Sequence, residues 1–194
     1  EDEIAMLREK HEHLQKLPGV KLPEDMTFTT DLKAAVESGE YLILAVPSVF
    51  TRSTAKSMAP FVKNGQVIVC VAKGIEEATL MTLSDIVEQE IPQAEVAVMC
   101  GPSHAEEVGI GLPTTVVAGA KKRKVAEGIQ DIFMNSVFRV YTSPDVLGME
   151  LGGSLKNVIA LAAGMADGLG YGDNTKAALI TRGMFEMSKL AMTM

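Results

Sequence analysis

The chain has 194 residues, of which 47% are hydrophobic and 22% charged, and its formal net charge is −7. This is the composition of an ordinary soluble protein, and it excludes a disordered or fibrous chain. The negative charge argues against a general nucleic-acid binder, which would carry a basic surface.

The two cysteines, Cys70 and Cys100, each end an apolar run. Neither belongs to a CxxC motif or a His/Cys cluster, so the sequence predicts no metal site and no disulfide framework. The sequence opens with no recognisable signal peptide, and no apolar run approaches the roughly 20 residues that span a bilayer. We therefore expect a cytoplasmic protein with buried free thiols and no membrane span.

The predicted elements begin with a mostly exposed helix over residues 1–17, followed by a short strand at 26–29 and a short helix at 31–36. From there, continuous apolar strands alternate with helices. The strands are predicted at residues 41–46, 66–72, 95–100, 114–118 and 137–142, and the helices from about 49 to 61, at 78–90, from 103 onward and at 121–134. This alternation is typical of a parallel sheet covered by helices on both faces.

After residue 143 the pattern becomes helical throughout. Two long helices are predicted, from Val146 to about Leu169 and from Asn174 to the end of the sequence, with Asp173 or Asn174 as the cap of the second. Because the sequence begins and ends inside predicted helices and lacks a starting Met, we expect a truncated chain. The predicted domains are residues 1–142 and 143–194.

Three predicted strand ends carry unusual residues, and ligands of open α/β sheets bind at the carboxyl ends of strands. Phe50 lies beyond the first of these strands, Lys73 follows the second, and Gly101 follows the third. Ser103 and Glu106 have the spacing of a capping box, whose helix start would favour an anion such as phosphate. Each feature also has a purely structural explanation. Pro47 would only end the first strand, Lys73 would be solvated at a turn, and Ser103 would only cap its helix.

The sequence GMELGGSLKNVIALAAG, at residues 148–164, is the most distinctive segment. Helical spacing places the following side chains on one face: Lys156, Ala160, Ala163, Gly164 and Asp167. Lys156 would then lie at the lip of a groove of small residues. Gly152 and Gly153 each cost about 1 kcal/mol relative to Ala in a helix, so close packing or ligand access should compensate. A structural helix whose lysine reaches water is the alternative.

Seven blocks, in this order, closely resemble the bacterial glycerol-3-phosphate dehydrogenase family: residues 17–23 (LPGVKLP), 45–48 (AVPS), 72–74 (AKG), 101–107 (GPSHAEE), 140–142 (VYT), 150–157 (ELGGSLKN) and 172–183 (GDNTKAALITRG). The resemblance covers essentially the whole chain, and residues 150–157 and 181–183 are its most specific parts. It implies an α/β fold: a Rossmann-like NAD(P)-binding domain without its first strand-turn-helix, then the start of an all-α substrate domain, with the active site in the cleft between them.

The resemblance implies an oxidoreductase that interconverts sn-glycerol 3-phosphate and dihydroxyacetone phosphate by hydride transfer with NAD or NADP, supplying glycerol 3-phosphate for phospholipid synthesis. Lys156 matches the family's proton-transfer lysine. Substrate contacts are implied for Lys73, Gly101, Ser103, Lys156 and Asn157, and cofactor contacts for Lys73, Ala105 and Phe50. A homodimer follows by analogy only.

Ketone reduction requires a hydride and a proton for the developing alkoxide. If Lys73 and Lys156 meet across the cleft, one would transfer the proton and the other would stabilise charge on oxygen. This two-lysine hypothesis requires both side chains to face the same cleft.

The family's glycine-rich phosphate motif would precede residue 1, and further substrate-binding residues would follow Met194. We therefore expect these 194 residues alone to show no turnover, and the choice between NAD and NADP stays open. Two alternatives remain: another two-domain dehydrogenase, of the 3-hydroxy acid or 6-phosphogluconate type, and a catalytically silent binding or oligomerisation module.

Overall fold

The computed structural model describes residues 2–193 as a five-stranded sheet with helices on both faces. The helices are α1 (Asp2–Lys10), α2 (Leu32–Ser38), α3 (Thr51–Met58), α4 (Leu83–Glu90), α5 (Ala105–Gly109), α6 (Arg123–Phe133), α7 (Val146–Gly168) and α8 (Asp173–Thr193). The strands are β1 (Tyr41–Leu44), β2 (Val67–Cys70), β3 (Glu95–Cys100), β4 (Thr114–Ala120) and β5 (Phe138–Ser143), and they lie in the sheet in that order. The predicted α/β fold class is confirmed.

The sheet separates two layers of buried side chains. Ile68 and Val98 pack on one face with side chains of α2, α3 and α4, whereas Val69 and Ala97 pack on the other face with side chains of α6. Successive residues of a strand point to opposite faces, so a strand covered on both faces needs a continuous apolar run. This is why the strands were recognisable in the sequence.

The prediction of a wholly parallel sheet is wrong at one pair. β3 and β4 are antiparallel, with Cys100 opposite Val117, whereas the other neighbouring strands are parallel. The connection from Gly101 to Pro113 contains only a short helix, Ala105–Gly109. It therefore lacks the long crossover helix that usually joins parallel neighbours, and β4 lies beside β3 in the reverse direction.

The N-terminal segment departs from the prediction in two ways. α1 ends at Lys10 rather than residue 17, because His11 adopts a left-handed conformation with φ of 44°. Residues 26–29 do not form a strand; instead, the guanidinium of Arg8 donates two hydrogen bonds to the carbonyl oxygen of Phe28, at 3.0 and 2.7 Å. This segment therefore packs on α1 and does not join the sheet.

Other predicted boundaries shift for local reasons. α4 begins at Leu83 instead of residue 78, because residues 75–82 form a loop closed by a bridge between Ile75 and Thr82. Thr82 then caps α4, its hydroxyl accepting a hydrogen bond from the amide of Asp85 at 3.3 Å. β1 and β2 also end earlier than predicted, and each is followed by residues of the candidate site.

α7 and α8 pack on each other, and α7 also packs on β3 and β4. Asp173 is the first residue of α8, so the predicted cap at Asp173 or Asn174 is wrong; the amides of Thr175 and Lys176 donate to the carbonyl of Gly172. The division into domains at residues 142 and 143 stays a prediction.

By length and composition alone, α7 could cross a membrane: its best 18-residue window has a mean hydropathy of 1.2, and 11% of that window is buried. The prediction that no apolar run approaches a membrane span therefore does not hold for α7 by length and composition. A single helix of this kind is weak evidence for a span, because Glu150 and Lys156 are charges that are costly to place in lipid.

Candidate functional site

α7 passes the end of β3 at very short range, and this contact defines the candidate site. A Cβ added to Gly153 would lie 2.8 Å from the Sγ of Cys100 and 3.7 Å from the Cγ of Lys73. A side chain at this position would force the Sγ of Cys100 to move. Glycine therefore permits this close approach, and the packing compensates for its low helix propensity. Lys156 follows on the same helix within one turn, at the carboxyl end of β3.

Two adjoining cavities lie around this contact. The smaller, of about 10 Å³, is lined by Lys73, Glu150 and Ser154 among others. The larger, of about 350 Å³, is lined by Lys156 and by residues at the end of β3 and the start of α7. Cys100 and Gly153 line both cavities. The two lysines therefore line different cavities that share a wall, whereas the two-lysine hypothesis requires both side chains to face one cleft. Their meeting at one substrate oxygen and their chemical roles stay predictions.

Two further predicted site residues lie at the larger cavity or beside Lys156. Gly101 lines the cavity and packs against β4, where an added Cβ would lie 2.8 Å from the carbonyl oxygen of Thr115. Asn157 is exposed, and its side-chain oxygen accepts a hydrogen bond from the Nζ of Lys156 at 3.2 Å. The structure thus groups Gly101, Lys156 and Asn157.

Ser103 and Ala105 are exposed and line neither of these two cavities. The predicted capping box is wrong: α5 begins after His104 and has no side-chain cap, and the hydroxyl of Ser103 donates instead to the carbonyl of Gly101 at 3.4 Å. The carboxylate of Glu106 lies 3.2 Å from Nδ1 of His104. Because the capping box is absent, it cannot support the anion site that was predicted at this helix start.

Phe50 lies in a 3₁₀ turn, Ser48–Phe50, directly after β1, and is 56% exposed. This turn contacts the segment that follows β2, since a Cβ added to Gly74 would lie 2.7 Å from the Cβ of Ser48. Because β1 and β2 are parallel neighbours, Phe50 and Lys73 emerge at the same edge of the sheet. An exposed aromatic ring and a lysine at one edge of the sheet fit the apolar rings and negative charges of a nicotinamide dinucleotide.

Glu150 is a buried carboxylate that the sequence analysis did not identify as a site residue. It is 9% exposed, and it accepts hydrogen bonds from the amide of Ser84 at 3.0 Å and from its hydroxyl at 2.5 Å. Since Ser84 lies in the first turn of α4, this contact joins α7 to α4. The one signal in the sequence was a glutamate among the apolar residues of a predicted helix.

Cys70, the last residue of β2, is a second buried group near Glu150. Burial raises the pKa of its thiol to about 12, and the negative charges of Glu150 and Glu88 act in the same direction. The thiol therefore stays protonated at neutral pH, and an unreactive thiol is what a structural cysteine provides. Among residues 2–193, no three His, Cys, Asp or Glu side chains are grouped so that they could hold a metal ion.

Arg52, on α3, joins three elements beside the segment of Lys73, and no motif in the sequence indicated this. Its Nε and Nη2 donate to the two carboxylate oxygens of Glu76, at 2.7 and 2.6 Å, and its Nη1 donates to Gln89 at 2.6 Å and to Glu90. The guanidinium holds the pKa of Glu76 down to about 2, and the hydroxyl of Thr79 adds to this effect.

We expect the free energy of unfolding to fall as the pH is lowered from about 4.5 towards 2. The pKa of Glu76 is lower in the folded chain than its ordinary value, so its ionised form stabilises the fold. This contribution is complete above pH 4.5 and is lost as the pH approaches the folded pKa. Urea unfolding of the protein between pH 2 and 7 would measure it. Glu76→Gln should flatten this acid-side decline, and an unchanged decline would contradict the prediction.

Comparison with known proteins gives consistent matches along the chain. A family model described as NAD-dependent glycerol-3-phosphate dehydrogenase N-terminus matches residues 1–126, and one described as the C-terminus of the same enzyme matches residues 145–194. Glycerol-3-phosphate dehydrogenase, NAD(P)+, of Agathobacter rectalis is 77% identical over 194 residues, covering 100% of this chain and 58% of the relative. The enzyme of the same name from Fusobacterium nucleatum is 55% identical, covering 99% of this chain and 58% of the relative.

Among solved structures, the glycerol-3-phosphate dehydrogenase of Coxiella burnetii superimposes with a TM-score of 0.92 at 33% identity. The match covers 99% of this chain and 59% of that protein. The chain therefore spans about 58% of the length of the curated relatives named above.

Proposed function

The chain belongs to the NAD-dependent glycerol-3-phosphate dehydrogenase family, and from this premise we propose that the intact enzyme interconverts sn-glycerol 3-phosphate and dihydroxyacetone phosphate with NAD or NADP. The observation that carries the proposal is the pair of lysines, Lys73 and Lys156, which face adjoining cavities across a wall formed by Cys100 and Gly153. The larger cavity, at about 350 Å³, has room for a phosphorylated three-carbon substrate. Family membership favours this reaction over that of a hydroxy acid or 6-phosphogluconate dehydrogenase.

The cofactor would be held by Phe50, Lys73 and Ala105. These residues follow β1, β2 and β3, whose parallel order brings their carboxyl ends to one edge of the sheet. Phe50 offers an exposed apolar ring and Lys73 a positive charge. When bound, the nicotinamide supplies or accepts the hydride.

In this proposal, Lys156 donates a proton from Nζ to the alkoxide oxygen during reduction and accepts it during oxidation. Asn157 orients that nitrogen through the hydrogen bond at 3.2 Å. Lys73 stabilises negative charge on the same oxygen as it develops. Gly101 and Ser103 complete the proposed substrate contacts, Gly101 from the wall of the larger cavity.

The proposed reaction is tested by offering the intact enzyme NADH or NADPH together with candidate substrates. We expect oxidation of the reduced cofactor with dihydroxyacetone phosphate. We expect no reaction in the opposite direction when NAD or NADP is offered with 3-hydroxy acids or 6-phosphogluconate. The ratio of kcat/KM values for the two cofactors would establish the preference between them. Turnover of a hydroxy acid without reduction of dihydroxyacetone phosphate would refute the proposed function.

We further propose that the enzyme works in the cytoplasm, in agreement with its two free cysteines, Cys70 and Cys100. The supply of glycerol 3-phosphate to phospholipid synthesis belongs to the same proposal. A homodimer stays a prediction from the resemblance, and light scattering by the intact enzyme would test it.

A further inference from the structure

The loop over residues 75–82 is a closed unit that directly follows Lys73 and Gly74. Ile75 and Thr82 pair across its neck, the amide of Glu76 donates to the carbonyl of Met81 at 3.0 Å, and the amide of Leu80 donates back to Glu76 at 2.8 Å. These bonds make the neck of the loop one rigid piece. Only Gly74 separates this neck from Lys73, so the position of the neck limits where the main chain at Lys73 can lie.

The guanidinium of Arg52 contacts both sides of this neck. It forms a two-pronged ion pair with the carboxylate of Glu76, and its Nη2 lies 3.6 Å from the Sδ of Met81. Its Nη1 reaches α4 at Gln89 and Glu90. Two-pronged guanidinium–carboxylate pairs fix orientation as well as distance.

These contacts are partly shielded from solvent. The side chains of Arg52 and Glu76 are 23% and 22% exposed, and that of Glu90 is 15% exposed. Partly buried pairs are screened by salt much less than exposed ones. The cluster therefore keeps the loop neck in place under ordinary ionic conditions.

The helix that carries Arg52 is itself fixed to the sheet. Thr51, Ala55 and Met58 are buried, and α3 packs against α4. Arg52 thus connects a stationary helix to the loop neck, three residues beyond Lys73. Phe50, proposed to contact the cofactor, lies two residues before Arg52 on the same segment.

We propose that Arg52 is a positioning residue for the proposed reaction: it fixes the place of Lys73 by holding the neck of the loop at Glu76. This inference rests on the proposed function, because it assigns to Lys73 a role at the substrate. It assigns no chemical step to Arg52, which acts through the main chain of the loop.

The test uses Arg52→Lys, which keeps the charge but loses the planar fork. In the intact enzyme, we expect kcat/KM for dihydroxyacetone phosphate to fall about 10- to 100-fold, the effect of a small displacement of an acting group. In a Lys73→Ala background, the same change should cost no more than about two-fold, because the group that it positions is gone. Arg123→Lys is the matched control: Arg123 pairs with Glu127 on α6 and is 88% exposed, so its replacement should leave the rate unchanged.

A second readout needs no substrate. Amide hydrogen exchange in residues 75–82 should be faster in Arg52→Lys and in Glu76→Gln than in the unsubstituted enzyme. The inference would be overturned if Arg52→Lys lowered kcat/KM by the same factor in the Lys73→Ala background as in the unsubstituted enzyme. Unchanged hydrogen exchange in the loop would also overturn it. An unsubstituted enzyme that fails to reduce dihydroxyacetone phosphate would refute the proposed function instead, and the exchange measurement would still decide whether Arg52 holds the loop.

Discussion

Replacement of Lys156 by Met in the intact enzyme is expected to lower kcat for reduction of dihydroxyacetone phosphate by at least ~100-fold, the usual lower range for loss of a general acid. That loss corresponds to about 2.7 kcal/mol of transition-state stabilisation. Met matches the length of the apolar stem, so α7 should keep its contact with β3 at Gly153. Cofactor affinity should stay nearly constant, because Lys156 is not among the residues proposed to bind the cofactor.

Two companion variants sharpen this experiment. Lys156→Arg keeps the positive charge but cannot release its proton near neutral pH, so it should also lose turnover if proton transfer is the role. Lys33→Met removes a lysine of α2 that lies 4.0 Å from Glu37 and is 60% exposed, and it should have no effect. Normal turnover by Lys156→Met would remove Lys156 from the mechanism. Normal turnover by Lys156→Arg alone would reduce its role to that of a fixed charge.

Replacement of Gly101 by Ala should lower the free energy of unfolding by about 1–3 kcal/mol, as overpacking of a filled interior does. An added Cβ would lie 2.8 Å from the carbonyl oxygen of Thr115 and 2.8 Å from the Cα of Val116. Both atoms belong to the main chain of β4, which is held between β3 and β5. They cannot rotate away as a side chain would.

Urea unfolding of the intact enzyme would measure this change, with Gly152→Ala as the control. In the described chain, nothing lies within 4 Å of a Cβ added to Gly152, so that variant should gain up to about 1 kcal/mol from better helix propensity. Equal stability of Gly101→Ala and the unsubstituted enzyme would contradict the packing argument. Weaker substrate binding by a fully stable Gly101→Ala would show that this glycine serves the ligand alone.

The sequence predicted those parts of the fold in which local pattern and burial agree. β3 was predicted with its observed bounds, Glu95–Cys100, because an apolar run of this length between turns fits a strand buried on both faces. α7 was predicted from Val146 to about Leu169 and is observed at Val146–Gly168, since no proline interrupts the pattern. Lys73 and Gly101 were expected at one edge of the sheet because each follows a predicted strand. Placing Lys156 near that edge required the family resemblance, because nothing in local spacing relates residues that far apart.

Features that depend on distant partners could not be predicted in this way. The strand expected at residues 26–29 has the right composition, but Arg8 binds its main chain and no sheet neighbour is available. Ser103 and Glu106 have capping-box spacing, yet α5 starts one residue later than that motif requires. The contacts of Arg52 and Glu150 join elements that are 24 and 66 residues apart in the chain, a distance over which periodicity carries no information.

The reversal of direction between β3 and β4 has a consequence for α7. Because β4 and β5 run opposite to β3, β5 ends nearer the amino edge of the first three strands, and α7 travels from there towards their carboxyl edge. Had β4 followed the direction of β3, α7 would have started at the ligand edge, and Lys156, ten residues and about 15 Å along the helix, would have been carried away from Lys73. The direction of β4 and β5 thereby determines which turn of α7 can take part in the proposed reaction.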